Sequence, residues 1–588
     1  MLASLDSSQQ SGGKALPFFT REDQTDAGLM QDQTPKDISG EEGFFSEYIP
    51  PPGHFDELKS PKENPEKTPV KLDEKAPVKI PVNIAAKTEE NRLRFGYGKL
   101  FAPSGSELKK DLAQRWKEAK QSLRDNPPSS TGQLIKSGTP QAWQLDPIPI
   151  VISSQDWDSL ASGIKQRMRL IDLLLKDVYG PQNLIASGDL PASLVYHAPS
   201  YLRAARRQTP DPQPMLTLYA VQAYRSPSGE WRVLADRTQG PSGCGHAVEN
   251  RLAMSRIHAD SFQSMQVNRI AGFFASLRNG MQEASTKSSP GREKGLRAAI
   301  LSPGIQSPTY FEDAYLARYL GYTLIQTADL TVRGGFVYVK TLGGLIRVES
   351  ILRRLADTSC DPLEINPSSN EGVPGLAMAA RLGKVLLANP LGTGWAESPA
   401  VSACLPKLCN LLLGEDLQLT NSPMWWCGDP ESLDHVLSHL DTLWIRDAFV
   451  RHSANQIDGN MLSNAAREQL ATRIREQPWA FVAMEPPQLS YVPTWGDDRL
   501  VAWPAMFRFF GCSERERFHV MPGGVARVAP SPRDLDESLA SGTMSKDVWV
   551  LSDGPVKPIT LLGGNKQSIE LKRSAMDLPS REIGRAHV

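Results

Sequence analysis

The sequence predicts an α/β fold with added antiparallel hairpins, on three observations. Residues 295–340 and 384–414 each run from an apolar strand through a polar or glycine-bearing loop into a helix, the pattern of a βαβ unit and a parallel sheet. From Pro214 the chain reads MLTLYAVQAYR, a PSG turn and EWRVLADRTQ, which is a β-hairpin. The last third, through VAWPAMFRFFG, FHVMPGGVARVAP and KDVWVLSDGP, is strand-rich.

The elements follow in order. Residues 1–93 are polar, and eight prolines and six lysines fall between Pro50 and Pro81. Such a segment buries too little apolar surface to offset its chain entropy, so a disordered tail is expected. A helical segment is expected over 94–140, its core the stretch 104–126 with Leu108, Leu112, Trp116 and Leu123 at helical spacing. QLDPIPIVIS then leads into a short strand, and DWDSLASGIKQRMRLIDLLLKDVYG reads as an amphipathic helix ended by Gly180.

Composition narrows the function classes. The 588 residues exceed one small module, at about 150 residues per domain. Lys+Arg 65 nearly cancels Asp+Glu 66, with 40% apolar and 22% charged residues. That is the balance of a globular enzyme with no nucleic-acid footprint. The six cysteines form no CxxC pair, so a zinc ribbon or disulfide scaffold is not indicated and a reducing cytoplasm fits. No run approaches the roughly 18 apolar residues of a membrane span, and MLASLDSSQQSGGK lacks a basic start followed by an apolar block, so neither an anchor nor a secretion signal is expected.

Several clusters could carry chemistry. Asp236 and Arg237 end a strand, and Glu249, Asn250 and Arg251 follow on the next element. Two acids and an amide suit a hard cation such as Mg²⁺, and the arginines suit phosphate; a strand-end salt-bridge network is the alternative. PLGTGWAES, with Gly392 and Gly394, could turn backbone N–H groups toward an anion or form a plain tight turn. Ser307, Thr309 and Tyr310 open a helix in the same way, or merely cap it. Arg446, Glu485, Arg508 and Arg527 spread over the last third. They could hold a triphosphate and its nucleoside, or face solvent. Arg353, Arg354, Asp357 and Asp361 form a charge patch that reads by default as a solvated face. No HExxH or GxSxG occurs, which disfavours a Ser or Cys triad.

WQLDPIPIVIS, LLLKDVYGPQNLIASGDLP, VLADRTQGPSGCGHAVENRLAMSR, SPTYFEDAYLARYLGYTL, VKTLGGLIRVESILRR, CDPLEINPSSNEGVPGL, NPLGTGWAESPA, LPKLCNLLLGEDLQL, WWCG and VMPGGVARVAPSP run in order from about 141 to 562. In these segments the chain resembles the bacterial circularly permuted type 2 ATP-grasp proteins. The resemblance implies a circularly permuted module over 141–562. It would hold a metal-site-like segment at 214–256, a Rossmann-like pre-ATP-grasp part at 295–415 and antiparallel nucleotide-gripping sheets at 440–562. It further implies ATP between the lobes and Mg²⁺ at Asp236, Glu249 and Asn250. Arg237 and Arg251 would act on the transferring phosphoryl group. Arg446, Glu485, Arg508, Arg527, Gly392 and Gly394 would hold the nucleotide, and Ser307, Thr309, Tyr310, Arg353 and Arg354 a carboxylate substrate. The implied reaction joins a small-molecule or peptide carboxylate to an amine through an acylphosphate. An inactive nucleotide-binding scaffold and a sugar-nucleotide enzyme are the alternative readings.

The sequence departs from the family pattern in carrying Arg446 where a lysine is usual and Met484 before Glu485 where a glutamine is usual. Residues 563–581 resemble the start of an alpha-E domain, and alpha-E and transglutaminase-like proteins are the implied partners. The final EIGRAHV, 582–588, matches a translated sequencing adapter, so the natural protein is expected to be longer.

Overall fold

The computed structural model describes residues 48–59, 93–94, 96–101, 106–125, 144–206, 213–288, 298–305, 307, 309–450, 456–496, 498–535 and 543–556. The expected linker 563–581 and the stretch 582–588 lie outside them, as does most of the expected tail.

A nine-stranded sheet organises the fold. Its main path runs Gln144–Leu145, Met544–Val550, Gly523–Val528, Arg499–Glu514, Leu218–Arg225 and Trp231–Arg237. Tyr491–Gly496 and Arg517–Val520 pair with the long strand Arg499–Glu514, and Ile150–Ile152 lies parallel to Met544–Val550. Alternation along the long strand sends Phe507 and Phe509 to one face and Arg508 and Phe510 to the other. The first pair packs in the core formed with helix Ser154–Val178, where the rings of Trp157 and Phe509 lie 5.8 Å apart. That helix is buried on many positions at helical spacing and is capped by the Ser153 hydroxyl, which accepts from the Asp156 amide at 3.2 Å. Helices Cys244–Ile257 and Ala271–Ser288 cover the opposite face.

The expected βαβ units build a four-stranded parallel sheet, ordered Leu386–Ala388, Ser350–Arg353, Ala298–Ser302 and Thr323–Gln326. Gly334 and Gly335 form the first turn of a three-stranded meander, Leu330–Arg333, Phe336–Thr341 and Gly344–Arg347. A separate antiparallel sheet joins Met424–Trp426, Phe481–Met484, Trp444–Asp447 and Ile457–Asp458. The helix expected over 104–126 spans Ser106–Asp125.

The expectation of a disordered tail through residue 93 does not hold for 48–59. Tyr48 and Leu58 are buried, and the Tyr48 hydroxyl donates to Asp56 at 2.8 Å. The Tyr491 amide donates to the Phe55 carbonyl at 2.9 Å, and the Arg225 guanidinium lies over the Phe55 ring. A few aromatic and aliphatic anchors suffice to dock a short segment that an average over the whole tail conceals.

Candidate functional site

Arg237, Arg508 and Arg527 come from three strands distant in sequence, and the sheet register brings them to one face. Arg508 stands opposite Gln222 on one neighbouring strand and opposite Val525 on the other, and Arg527 stands opposite Met506. Arg237 stands opposite Ala220, two residues from Gln222. The Gln222 carbonyl oxygen accepts from Arg237 at 3.2 Å and from Arg508 at 3.4 Å, which joins two guanidinium groups through one neutral acceptor. Arg508 also donates to the Ser242 carbonyl and hydroxyl at 3.1 and 3.0 Å. A small cavity opens among Gln222, Met506, Arg508, Val525 and Arg527. All three arginines are buried, and concentrated cationic charge outside bulk water suits a polyanion such as a phosphate chain.

An apolar cluster of Tyr224, Leu489, Ala529 and Leu535, with Leu234 and Met506 packed on it, adjoins this floor. Leu489 lies in the segment 485–490 that leads from the small antiparallel sheet to the large one. Glu485 opens that segment, exposed, its amide donating to the Pro423 carbonyl at 3.0 Å. Burial raises the pKa of the Tyr224 phenol and the Glu485 carboxylate adds to the shift, which sets Glu485 near this cluster. Arg446, half-buried on Trp444–Asp447, lies opposite Val482 and reaches the Met484 sulfur at 3.9 Å.

Asp236, Glu249 and Asn250 go to three different partners. Asp236 is fully buried, held by Arg167 at 2.7 and 2.8 Å and by the Tyr219 hydroxyl at 2.5 Å. Glu249 pairs with Tyr315, and burial raises its pKa. Asn250 accepts from the Ser545 hydroxyl at 3.3 Å. Glu249 and Asn250 are consecutive on helix Cys244–Ile257, and a helix turns successive side chains about 100° apart. Arg251, the next residue, is bound by Asp547 at 2.8 Å and by the carbonyls of Asn268 and Val548. It braces the helix on the sheet, which corrects its expected role at the phosphoryl group.

The description "Circularly permuted ATP-grasp type 2" matches residues 149–529. The chain belongs to that family. An uncharacterized protein of Mycobacterium tuberculosis (strain ATCC 25618 / H37Rv) is 35% identical over 412 residues, 70% of this chain and 46% of that one. An uncharacterized protein of Synechocystis sp. (strain ATCC 27184 / PCC 6803 / Kazusa) is 33% identical over 414 residues, 70% of this chain and 85% of that one. The chain spans about half the length of the mycobacterial relatives that it matches at 35% identity. A solved glutathione synthetase-like effector (GSS30) from Globodera pallida, in apo form, aligns at 8% identity with TM-score 0.44, over 74% of this chain and 96% of that one.

ATP-grasp proteins bind ATP with Mg²⁺, and the two fit this chain unequally. The guanidinium charge of Arg237, Arg508 and Arg527 suits a phosphate chain. Mg²⁺ does not fit the expected set, because the Asp236 oxygens are filled by cationic and hydroxyl donors. Among the described residues no group of three or more His, Cys, Asp or Glu side chains is placed to hold a metal.

The expected phosphate cradle of this ATP-grasp chain is also corrected. The Gly394 amide donates to the Asp357 carboxylate at 2.9 Å, so the anion at the turn is the chain's own. A Cβ at Gly394 would lie 2.3 Å from the Gln239 side-chain nitrogen and 2.8 Å from Asp357, which is why glycine stands there. Gly392, at φ 92°, gives its carbonyl to the Tyr179 hydroxyl at 2.9 Å.

The charge patch at the end of the parallel sheet is core, not a solvated face. Arg353 is fully buried and donates to Asp357 at 2.7 Å and to the carbonyls of Asn389, Leu355 and Pro390. Arg354 is bound by Asp313 at 2.7 Å, Glu312 at 3.3 Å and the Pro241 carbonyl. Burial opposes the Glu312 charge, but Arg354, His246 and the Gly243 amide outweigh it and bring its pKa to about 2. Both arginines are thereby taken up, against the expectation that they bind substrate. Ser307, Thr309 and Tyr310 stay half-buried at the start of helix Tyr310–Leu320, with the two hydroxyls 2.9 Å apart.

The residue that sequence reading missed is Gln222. Its signal was a lone amide in a strand buried at every position. Among the described residues no helix is long and apolar enough to cross a membrane.

Proposed function

We propose that the protein is an ATP-dependent carboxylate–amine ligase. The convergence of Arg237, Arg508 and Arg527 on one buried face around Gln222 carries this reading. These arginines hold the phosphate chain, while Tyr224, Leu489 and Met506 receive the base and Glu485 meets the sugar at the rim. Bound ATP supplies a phosphoryl group that turns a substrate carboxylate into an acylphosphate; an amine then displaces inorganic phosphate and loses a proton. Arg237 and Arg508 stabilise the negative charge that spreads over the phosphoryl oxygens, a task that needs positioning and electrostatics rather than a protein nucleophile. The thiols fit this division of labour: burial raises the pKa of Cys244 and Cys512 far above the ordinary value. Ser307, Thr309 and Tyr310, at the C-terminal side of strand Ala298–Ser302, receive the carboxylate of a small molecule or peptide.

The scattering of Asp236, Glu249 and Asn250 favours a second reading, a nucleotide-binding scaffold without ligation. ATP binding and ADP release, measured with and without Mg²⁺ and with amino acid and peptide mixtures, separate the two. ADP release stimulated by an amine establishes the ligase; tight ATP binding without ADP establishes the scaffold.

A further inference from the structure

The turn expected to cradle phosphate does other work. The Glu397 carboxylate accepts from the backbone amides of Thr238 at 2.6 Å and Gln239 at 2.7 Å, directly after Arg237. The Thr238 hydroxyl donates to the Thr393 carbonyl at 2.6 Å. Asn389, eight residues before Glu397, accepts from the amides of Thr217 at 2.8 Å and Leu218 at 2.9 Å, and donates to the carbonyls of Leu218 and Thr238. The segment 389–397 therefore grips both chains of one hairpin at its open end, where strand Leu218–Arg225 begins and strand Trp231–Arg237 finishes. Those strands carry Gln222 and Arg237. Arg508 and Arg527 lie on other strands that this segment does not grip.

We infer that Glu397 is a positioning residue that fixes the Arg237 strand end against the phosphate site, and that Asn389 and Thr393 complete the clamp. The functional part of this inference rests on the ligase reading; the clamp itself does not. A buried carboxylate accepting two amides restrains both peptide planes, and small displacements of a charge-stabilising group are expensive in rate. Because Arg508 and Arg527 lie on strands whose ends this segment does not grip, loosening the clamp affects turnover more than nucleotide binding.

The test compares Glu397→Leu, which removes the acceptor, with Glu397→Gln, which retains one, in the full chain. Hydrogen exchange at Thr238 and Gln239 is expected to rise at least about 10-fold in Glu397→Leu and to stay within about threefold of the parent in Glu397→Gln. ADP release in Glu397→Leu is expected to lose at least about 10-fold in kcat with the ATP KM within about threefold, and Glu397→Gln to recover most of the rate. Unchanged exchange, an unchanged kcat, an equal loss in both variants or a change confined to KM overturns the inference. If Glu397→Leu does not fold, Thr238→Val removes the bond to Thr393 at nearly constant shape. Exchange at least about 10-fold faster, with slower turnover, then supports the clamp, and values within about threefold of the parent overturn it. A parent protein that binds ATP but releases no ADP refutes the ligase reading, while the exchange measurement still decides the clamp.

Discussion

Two groups of buried arginines differ in what they meet. On the large sheet Arg237 and Arg508 donate to neutral oxygens, those of Gln222, Ser242 and the Asp236 backbone. At the end of the parallel sheet Arg353 and Arg354 meet the carboxylates of Asp357, Glu312 and Asp313. Burial is similar in the two places, so burial does not distinguish a binding site from a structural staple. The observed partners differ: Arg353 and Arg354 are ion-paired to carboxylates, whereas the amide of Gln222 and the oxygens of Ser242 orient Arg237 and Arg508.

The largest effect is expected at Arg354. Arg354→Met strands Glu312 and Asp313 without their cation in the core, and stability measured by denaturant unfolding is expected to fall by about 3–5 kcal/mol. A loss below about 1 kcal/mol would show that the staple is no staple. Arg508→Met is the counterpart on the other face. Titration calorimetry is expected to show ATP affinity reduced about 10- to 150-fold, the equivalent of about 1.5–3 kcal/mol for a charged hydrogen bond, with the unfolding midpoint little changed.

Gly394→Ala sharpens the distinction from the glycine turn. Its new methyl collides with Gln239 and Asp357, so stability is expected to drop by about 1–3 kcal/mol while ATP affinity holds. A selective loss of ATP affinity would return the turn to the nucleotide site.

A further effect is electrostatic and lies away from both groups. Burial, then the neighbouring Arg115, lowers the His258 pKa to about 3, against about 6.5 in an unfolded chain. Between those values the unfolded state binds the proton and the folded state does not. This residue's contribution is therefore complete above about pH 6.5 and is lost as pH falls toward 3, with a slope of at most about 1.4 kcal/mol per pH unit. Unfolding titrations from pH 7 to 5 are expected to show that slope in the parent and a shallower one in His258→Gln.

The parallel units were legible because strand, loop and helix alternate over short spans, and the hairpin at Pro214 because turn residues separate two apolar runs. Arg237, Arg508 and Arg527 were legible as candidates but not as one site, since only the register of strands nearly 300 residues apart makes them neighbours. The expected metal set is not gathered at one point of the fold. Asp236 followed by Glu249 and Asn250 looks like a ligand triad in one dimension, but Arg167, far upstream, takes the aspartate, and the helix divides the other two. Arg353 and Arg354 misled because a charge run carries no mark of burial; their carboxylates lie partly on helix Tyr310–Leu320.

One feature of the large sheet bears on how the chain is made. Ile150–Ile152 lies against Met544–Val550, and Ile150 pairs with Val548 across about 400 residues of sequence. At about 5–20 residues per second, the ribosome takes about 20–80 s to deliver that partner. Throughout that interval the early apolar strand and the face of helix Ser154–Val178 await a partner that has not yet been made.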